Sequence, residues 1–245
     1  MKKPSRKIGA LYGIGVGPGD KELLTIKAIK TLMTADIIAV PASGSLDEGV
    51  AFSIVREFIG RKKLLKIFFP MTKDKKRLDA ARTDAARKIA RRLKASKDVA
   101  FITIGDPMFY STFGYTARLV KGVLPEAKIV CVPGVSSLNA SASAAAVPLA
   151  EADDAIAIIP ATYGIERIRD ALERFDTVVL MKVKTMMKGI LKLLEETGLM
   201  GDAVFVSKAT WPEEEVVKDM NTFKDNDPHY FSMVIIRKKE NGSPI

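Results

Sequence analysis

The chain has 245 residues, 47% hydrophobic and 28% charged, a balance that excludes a disordered or fibrous protein. At roughly 150 residues per domain it allows one large domain or two modest ones. No stretch approaches the roughly 20 apolar residues of a membrane span. A single cysteine, Cys131, excludes an internal disulfide and a cysteine-cluster metal site, and the formal charge of +10 asks either for a polyanionic partner or for a solvated basic face.

The basic opening MKKPSRK is followed by a short apolar run broken by glycines, so it does not read as a secretory signal, and a cytoplasmic location is expected. Apolar, β-branched runs then alternate with helical patterns. Strands are predicted at 8–16, 36–40, 64–69, 98–104 and 128–132, with helices at 21–34, 50–59 and 111–121 between them. Before the strand at 98–104 comes a basic segment, 61–97. Within it Leu78, Ala81, Ala85, Ile89 and Leu93 recur at three- and four-residue spacing, the signature of one helix face, and Arg82, Arg87, Lys88, Arg91 and Arg92 fall outside it. Base stacking needs aromatics among the positive charges, and past Phe68 and Phe69 this segment has none. A nucleic-acid partner is therefore not expected.

A second set follows, with helices at 136–146, 165–175 and 186–197 and strands at 155–159, 177–183, 203–206 and 230–237. The alternation predicts an α/β fold with largely parallel sheets. The Pro133-Gly134 turn sets the expected boundary between domains 1–132 and 133–245. Cys131, flanked by Val130 and Val132, reads as a buried strand residue.

The opening loop, Gly13-Ile14-Gly15-Val16-Gly17-Pro18-Gly19-Asp20, spaces its glycines two apart. That fits neither the dinucleotide pattern G-x-G-x-x-G nor a phosphate loop, which needs Gly-Lys-Ser or Gly-Lys-Thr. Further loops share its position at the carboxyl end of a predicted strand, where open α/β sheets bind ligands. They are Gly105-Asp106-Pro107, Pro133-Gly134-Val135-Ser136-Ser137, Leu180-Met181-Lys182-Val183 and Ser207-Lys208-Ala209-Thr210. Singly, each is an ordinary turn, cap or core segment.

In this order, GxGxGPGD, GDPxxYST, PGVSS and LMKV resemble the tetrapyrrole methylases, which methylate porphyrin and corrin precursors with S-adenosylmethionine. The likeness spans residues 8 to about 219. Residues 69–74 (FPMTKD), 105–115 (GDPMFYSTFGY) and 175–183 (FDTVVLMKV) resemble the subgroup acting at C(20) of precorrin-2 or cobalt-precorrin-2, in corrin (cobalamin) biosynthesis.

The resemblance implies two αβα domains with a cleft between them, S-adenosylmethionine as cofactor, a tetrapyrrole as partner and a homodimer. It assigns Pro18, Gly105, Asp106, Pro107, Phe109, Ser136, Ser137, Met181, Lys208 and Ala209 to the cofactor, and Gly15, Gly17 and Asp20 to the substrate. At Ala209-Thr210-Trp211-Pro212 the chain departs from the small, glycine-containing stretch of many relatives.

A sulfonium methyl is already electrophilic, so the protein has mainly to align and enclose. Asp106 and Tyr110 are positional candidates for a base that removes the proton afterwards. His229 stands in a polar stretch far along the chain from every motif and reads as a surface or turn residue. No metal site is expected, and any cobalt would arrive inside the substrate. The acetate and propionate arms of a corrin precursor give the basic surface a polyanion to meet, with Arg118, Lys182 and Lys184 as candidates by nearness. Two other readings stay open: the same fold acting on another acceptor, such as another ring position or a protein as in diphthine synthase, and a basic binding module without catalysis.

Overall fold

A computed structural model describes residues 8–42, 49–72, 74–224 and 227–238. The opening segment 1–7, Lys73 of the 69–74 motif, and Asp225 and Asn226 beside His229 lie outside the described residues. Two units result, Met1–Ser136 and Ser137–Ile245.

The first unit runs β1 (Ala10–Gly15), α1 (Ile26–Thr34), β2 (Ile37–Ala42), α2 (Val50–Ile59), β3 (Lys63–Phe68), α3 (Lys75–Lys94), β4 (Val99–Thr103), α4 (Phe113–Val123) and β5 (Lys128–Val132). Its sheet has the order β3-β2-β4-β1-β5 and every pairing is parallel. Strand side chains alternate between faces. Ile14, Ile38, Val40, Ala100 and Ile102 pack beneath α1 and α2, while Leu11, Ile37, Ala39, Val99 and Phe101 pack beneath α3 and α4. Local chemistry sets the helix starts. The Thr25 hydroxyl accepts from the Ala28 N–H, so α1 begins at Ile26 and not at the expected residue 21, and Lys21–Leu23 forms a separate 3-10 turn. Asp74 caps α3 by accepting from the Lys76 and Arg77 amides.

Cys131 corrects the expectation of a buried thiol: it is exposed. Because β5 is an edge strand, its flanking valines do not imply cover on both sides. The sulfur lies 3.7 Å from the Met108 Sδ. Partial burial and the neighbouring Asp106 carboxylate push the thiol above its ordinary pKa, which disfavours the reactive thiolate.

The second unit runs α5 (Ser137–Ala145), β6 (Ile156–Pro160), α6 (Ile165–Arg174), β7 (Thr177–Met181), α7 (Met187–Thr197), β8 (Ala203–Ser207), β9 (Glu215–Val217) and β10 (Ser232–Arg237). Here the expectation of a largely parallel sheet fails. In the order β6-β7-β10-β8-β9 the only parallel pair among the described residues is β6 with β7. The last strand inserts antiparallel between β7 and β8, and the short β9, absent from the sequence reading, pairs antiparallel with β8. Ile168, Leu172, Leu180, Ile190, Leu194, Phe205 and Val234 form this unit's core. Arg237, at the end of β10, ties the 148–154 segment down through the Pro148 carbonyl, Glu151 and Asp154.

Candidate active site

In the first unit the order β4-β1-β5 brings the carboxyl ends of three parallel strands side by side, and the three glycine-bearing loops of that unit meet there. Their contact is backbone on backbone. The Val16 amide donates to the Thr103 carbonyl at 2.9 Å, and Gly17 and Gly105 form an isolated antiparallel bridge in which the Gly105 N–H reaches the Gly17 carbonyl at 2.7 Å. A Cβ at Gly15 would stand 2.5 Å from the Gly105 oxygen and 2.6 Å from the Gly134 nitrogen. One at Gly134 would meet the Gly105 oxygen and the Gly15 backbone. Gly17 and Gly105 also take left-handed backbone, with φ of 79° and 68°. These glycines are therefore spacing elements between loops. Gly13 has a related duty, since a Cβ there would run into the Phe113 ring beneath α4.

Asp106 locks the assembly. One carboxylate oxygen accepts from the Met108 amide at 2.8 Å and the other from the Gly134 amide at 3.1 Å, joining the second loop to the third. Both oxygens are thus committed to loop structure, the arrangement of a positioning residue. Gly105 and Pro107 are buried, Phe109 is half-buried, and Tyr110 is exposed at φ 47° with its ring edge-on to Phe109 at 5.0 Å. Behind them Thr103 and Ser111 share a hydroxyl contact of 3.1 Å that the sequence reading did not single out. Pro18 is buried beside Gly17. The Asp20 carboxylate accepts from the Glu22 amide, capping its own turn. Ser136, half-buried, lies in the third loop, and Ser137 ends that loop and opens α5.

The second unit's edge is built differently. Because β10 is antiparallel to both β7 and β8, those two strands point the same way and their carboxyl ends flank the start of β10. Met181 pairs with Met233 and Ser207 with Ser232, whose buried hydroxyl donates to that of Ser207 at 3.0 Å. The Lys208 amide donates to the Phe231 carbonyl at 2.8 Å. Met181 is half-buried and Ala209 buried, and Lys182, Lys208 and Thr210 all hold left-handed backbone, at φ 57°, 49° and 72°. For non-glycine residues such conformations are strained, and they gather at functional sites.

This edge also recruits a segment that sequence distance had hidden. His229 and Phe231 lie against Trp211, with ring centroids 6.4 Å and 5.5 Å from the indole. His229 Nδ1 accepts from the Phe231 amide at 3.2 Å, so the neutral imidazole carries its proton on Nε2. Partial burial, then Lys208 and Lys184, push its pKa below the ordinary value, and Glu213 acts weakly the other way. Lys184 itself pairs with Asp227 at 2.9 Å, and Lys208 approaches Glu213 at 3.8 Å. Among the described residues no group of three or more His, Cys, Asp or Glu is placed to hold a metal.

At the first edge Gly15 and Gly134 are packed against loop backbone, and at the second Met181 is half-buried and Ala209 buried. A family model for Tetrapyrrole (Corrin/Porphyrin) Methylases matches residues 10–221, and the chain belongs to that family. Among its relatives, a protein of Methanocaldococcus jannaschii named probable cobalt-precorrin-2 C(20)-methyltransferase is 37% identical over 97% of this chain and 99% of its own length. The cobalt-precorrin-2 C(20)-methyltransferase of Salmonella typhimurium is 34% identical, over 94% and 97%. A solved uroporphyrin-III C-methyl transferase from Thermus thermophilus, in complex with S-adenyl homocysteine, shares the fold with a TM-score of 0.65, 23% identity, and coverage of 94% and 98%.

Proposed function

We propose that this protein transfers a methyl group from S-adenosylmethionine to the C(20) bridging carbon of precorrin-2 or cobalt-precorrin-2 in corrin biosynthesis. The observation that carries the reading is near end-to-end likeness, at 34–37% identity, to relatives named for that reaction. The bound cofactor supplies an electrophilic sulfonium methyl. Everything else falls to the chain, which must orient two ligands and keep water away from the transfer.

The family pattern assigns Pro18, Gly105, Pro107, Phe109, Ser136, Ser137, Met181, Lys208 and Ala209 to the cofactor, and Gly15, Gly17 and Asp20 to the macrocycle. Asp106 belongs to this set as the residue that holds the second loop on the third, and the engagement of both its oxygens speaks against a role as base. Tyr110 stays a candidate for receiving the proton released from the methylated carbon. A homodimer and a cytoplasmic location are part of the same proposal, drawn from the family likeness; among the described residues no helix is long and apolar enough to cross a membrane.

The deciding experiment incubates the protein with methyl-labelled cofactor and precorrin-2, with and without inserted cobalt, and locates the label by NMR. Label on the carbon bridging rings A and D is expected. Label at any other position would overturn the reading.

A further inference from the structure

Tyr115 sits in the first turn of α4 with its ring 46% exposed and two guanidinium groups laid against it. Arg82 of α3 has its Cζ 4.6 Å from the ring centroid, and Arg118, one turn further along α4, has its Cζ 5.3 Å away. Holding two like charges on one ring is unfavourable unless anions are near. The residues around them provide few. Among the described residues Arg82 forms an ion pair with Asp79 alone, at 3.4 Å, and no carboxylate pairs with Arg118.

A guanidinium set over a ring keeps N–H donors at its edge, the groups that grip a carboxylate through two parallel hydrogen bonds, and on Arg82 one of them, at Nη1, reaches Asp79. A second feature points the same way. The first turn of α3 carries Lys75, Lys76 and Arg77 and no acidic residue, which sets three exposed cations at the positive pole of a 20-residue helix. The Asp74 carboxylate caps that pole through the Lys76 and Arg77 amides, so what this turn adds is exposed positive charge around the cap. Both helices begin at the carboxyl edge of the parallel sheet, α3 after β3 and α4 after the Gly105–Tyr110 loop. The two helix starts therefore lie at the edge that also carries the glycine loops, with Arg118 the sixth residue of α4 and Arg82 the eighth of α3.

From this arrangement we infer that Arg82 and Arg118, stacked on Tyr115, form a docking site for the carboxylate arms of the tetrapyrrole substrate. The inference deepens the proposed function and rests on it for the identity of the ligand. Tyr115 acts as a positioning residue that holds both forks, and the first turn of α3 extends the basic rim. A flat macrocycle fringed with acid arms engages several such cations at once, which a single small acid does not.

The test measures binding and turnover separately, in the full chain. Uroporphyrin III, which bears acid arms throughout, and the less acidic coproporphyrin III are titrated by fluorescence against wild type, R118E, R82E and Y115L. Uroporphyrin affinity is expected to fall about five-fold or more in each arginine variant, and coproporphyrin affinity less, with the difference shrinking as salt screens the charges. S-adenosylhomocysteine affinity is expected to hold, and precorrin-2 methylation to show a raised KM with kcat nearly unchanged. Equal uroporphyrin affinity in wild type and R118E overturns the inference, and so does parallel loss of S-adenosylhomocysteine binding. Salt-sensitive RNA binding that R118E abolishes while uroporphyrin binding persists would assign the cluster to nucleic acid instead. Porphyrin binding needs no turnover, so failure of the C(20) reading and failure of this site give different results.

Discussion

The two sheet edges reach similar ends by opposite means. In the first unit, loops after β1, β4 and β5 touch through backbone, with Gly15, Gly105 and Gly134 spaced by nothing but main-chain atoms. In the second, the loops after β7 and β8 take left-handed backbone at Lys182, Lys208 and Thr210, none of them glycine, and the Lys208 amide ties its loop to the Phe231 carbonyl. A glycine edge tolerates no added atom, whereas a strained edge of larger residues has slack that substitution can release. Mutations should separate the two edges in sign as well as size.

The largest effect is expected at Gly15 and Gly134. An alanine methyl at either would collide with backbone that two other loops fix, and the overpacking should cost about 2–3 kcal/mol. Chemical denaturation measures this, and S-adenosylhomocysteine binding should fall with it. Gly122, in α4 with no atom within 4 Å of an added Cβ, is the internal control: alanine there should stabilise by about 0.5–1 kcal/mol. If Gly15→Ala proved as mild as Gly122→Ala, the backbone-contact account of the first edge would be wrong.

Next comes Asp106. Asp106→Ala leaves the Met108 and Gly134 amides without acceptors and should cost about 1–3 kcal/mol, while Asp106→Asn keeps one acceptor and loses less. Both should weaken cofactor binding. A catalytic base would behave otherwise: Asp106→Asn would then abolish kcat while leaving cofactor affinity intact.

This contrast also explains what was legible beforehand. Glycines announce themselves, because a residue without Cβ at alternate positions after a strand has few structural uses, so the first edge could be read from residues 13–20, 105–107 and 133–134. The second edge depends on β10 inserting antiparallel between β7 and β8. Side chains alternate in the same way in strands of either direction, so nothing in 232–237 marks that direction. Three-residue β9 is too short to show a period at all. His229 looked remote for the same reason: only the long-range pairing of β10 carries it to Trp211 and Lys208. Cys131 misled because edge position is a property of the sheet, invisible in the valines beside it.

A smaller effect tests the strain at the second edge. Lys208→Gly should relieve the left-handed conformation and raise stability by about 1 kcal/mol or less, the reverse of the glycine edge. If the strain serves to present the loop, cofactor affinity will fall even as the melting temperature rises. Gains in both would show that the conformation does nothing for binding.

The smallest effect belongs to His229 and sharpens the account of its surroundings. Partial burial and the charges of Lys208 and Lys184 favour the neutral imidazole, so its folded pKa lies below the ordinary 6.5. Between those two values the unfolded chain binds the extra proton and the folded chain does not. Stability therefore rises with pH through that window, declines as pH falls through it, and levels off once the folded histidine is protonated too. The side chain is exposed, which keeps the contribution small. Lowered carboxylates such as Asp36 and Glu196 titrate below their ordinary 3.8 and 4.5, and so do not interfere above about pH 5. His229→Asn places its Oδ1 where Nδ1 stands, so it can accept from the Phe231 amide but cannot take up a proton, and its melting temperature should vary less between pH 7 and about pH 5 than that of the wild type. An unchanged slope would mean that neither burial nor the two lysines, paired with Asp227 and Glu213, acts on the ring, and would weaken the picture of the second edge as a cationic, aromatic corner.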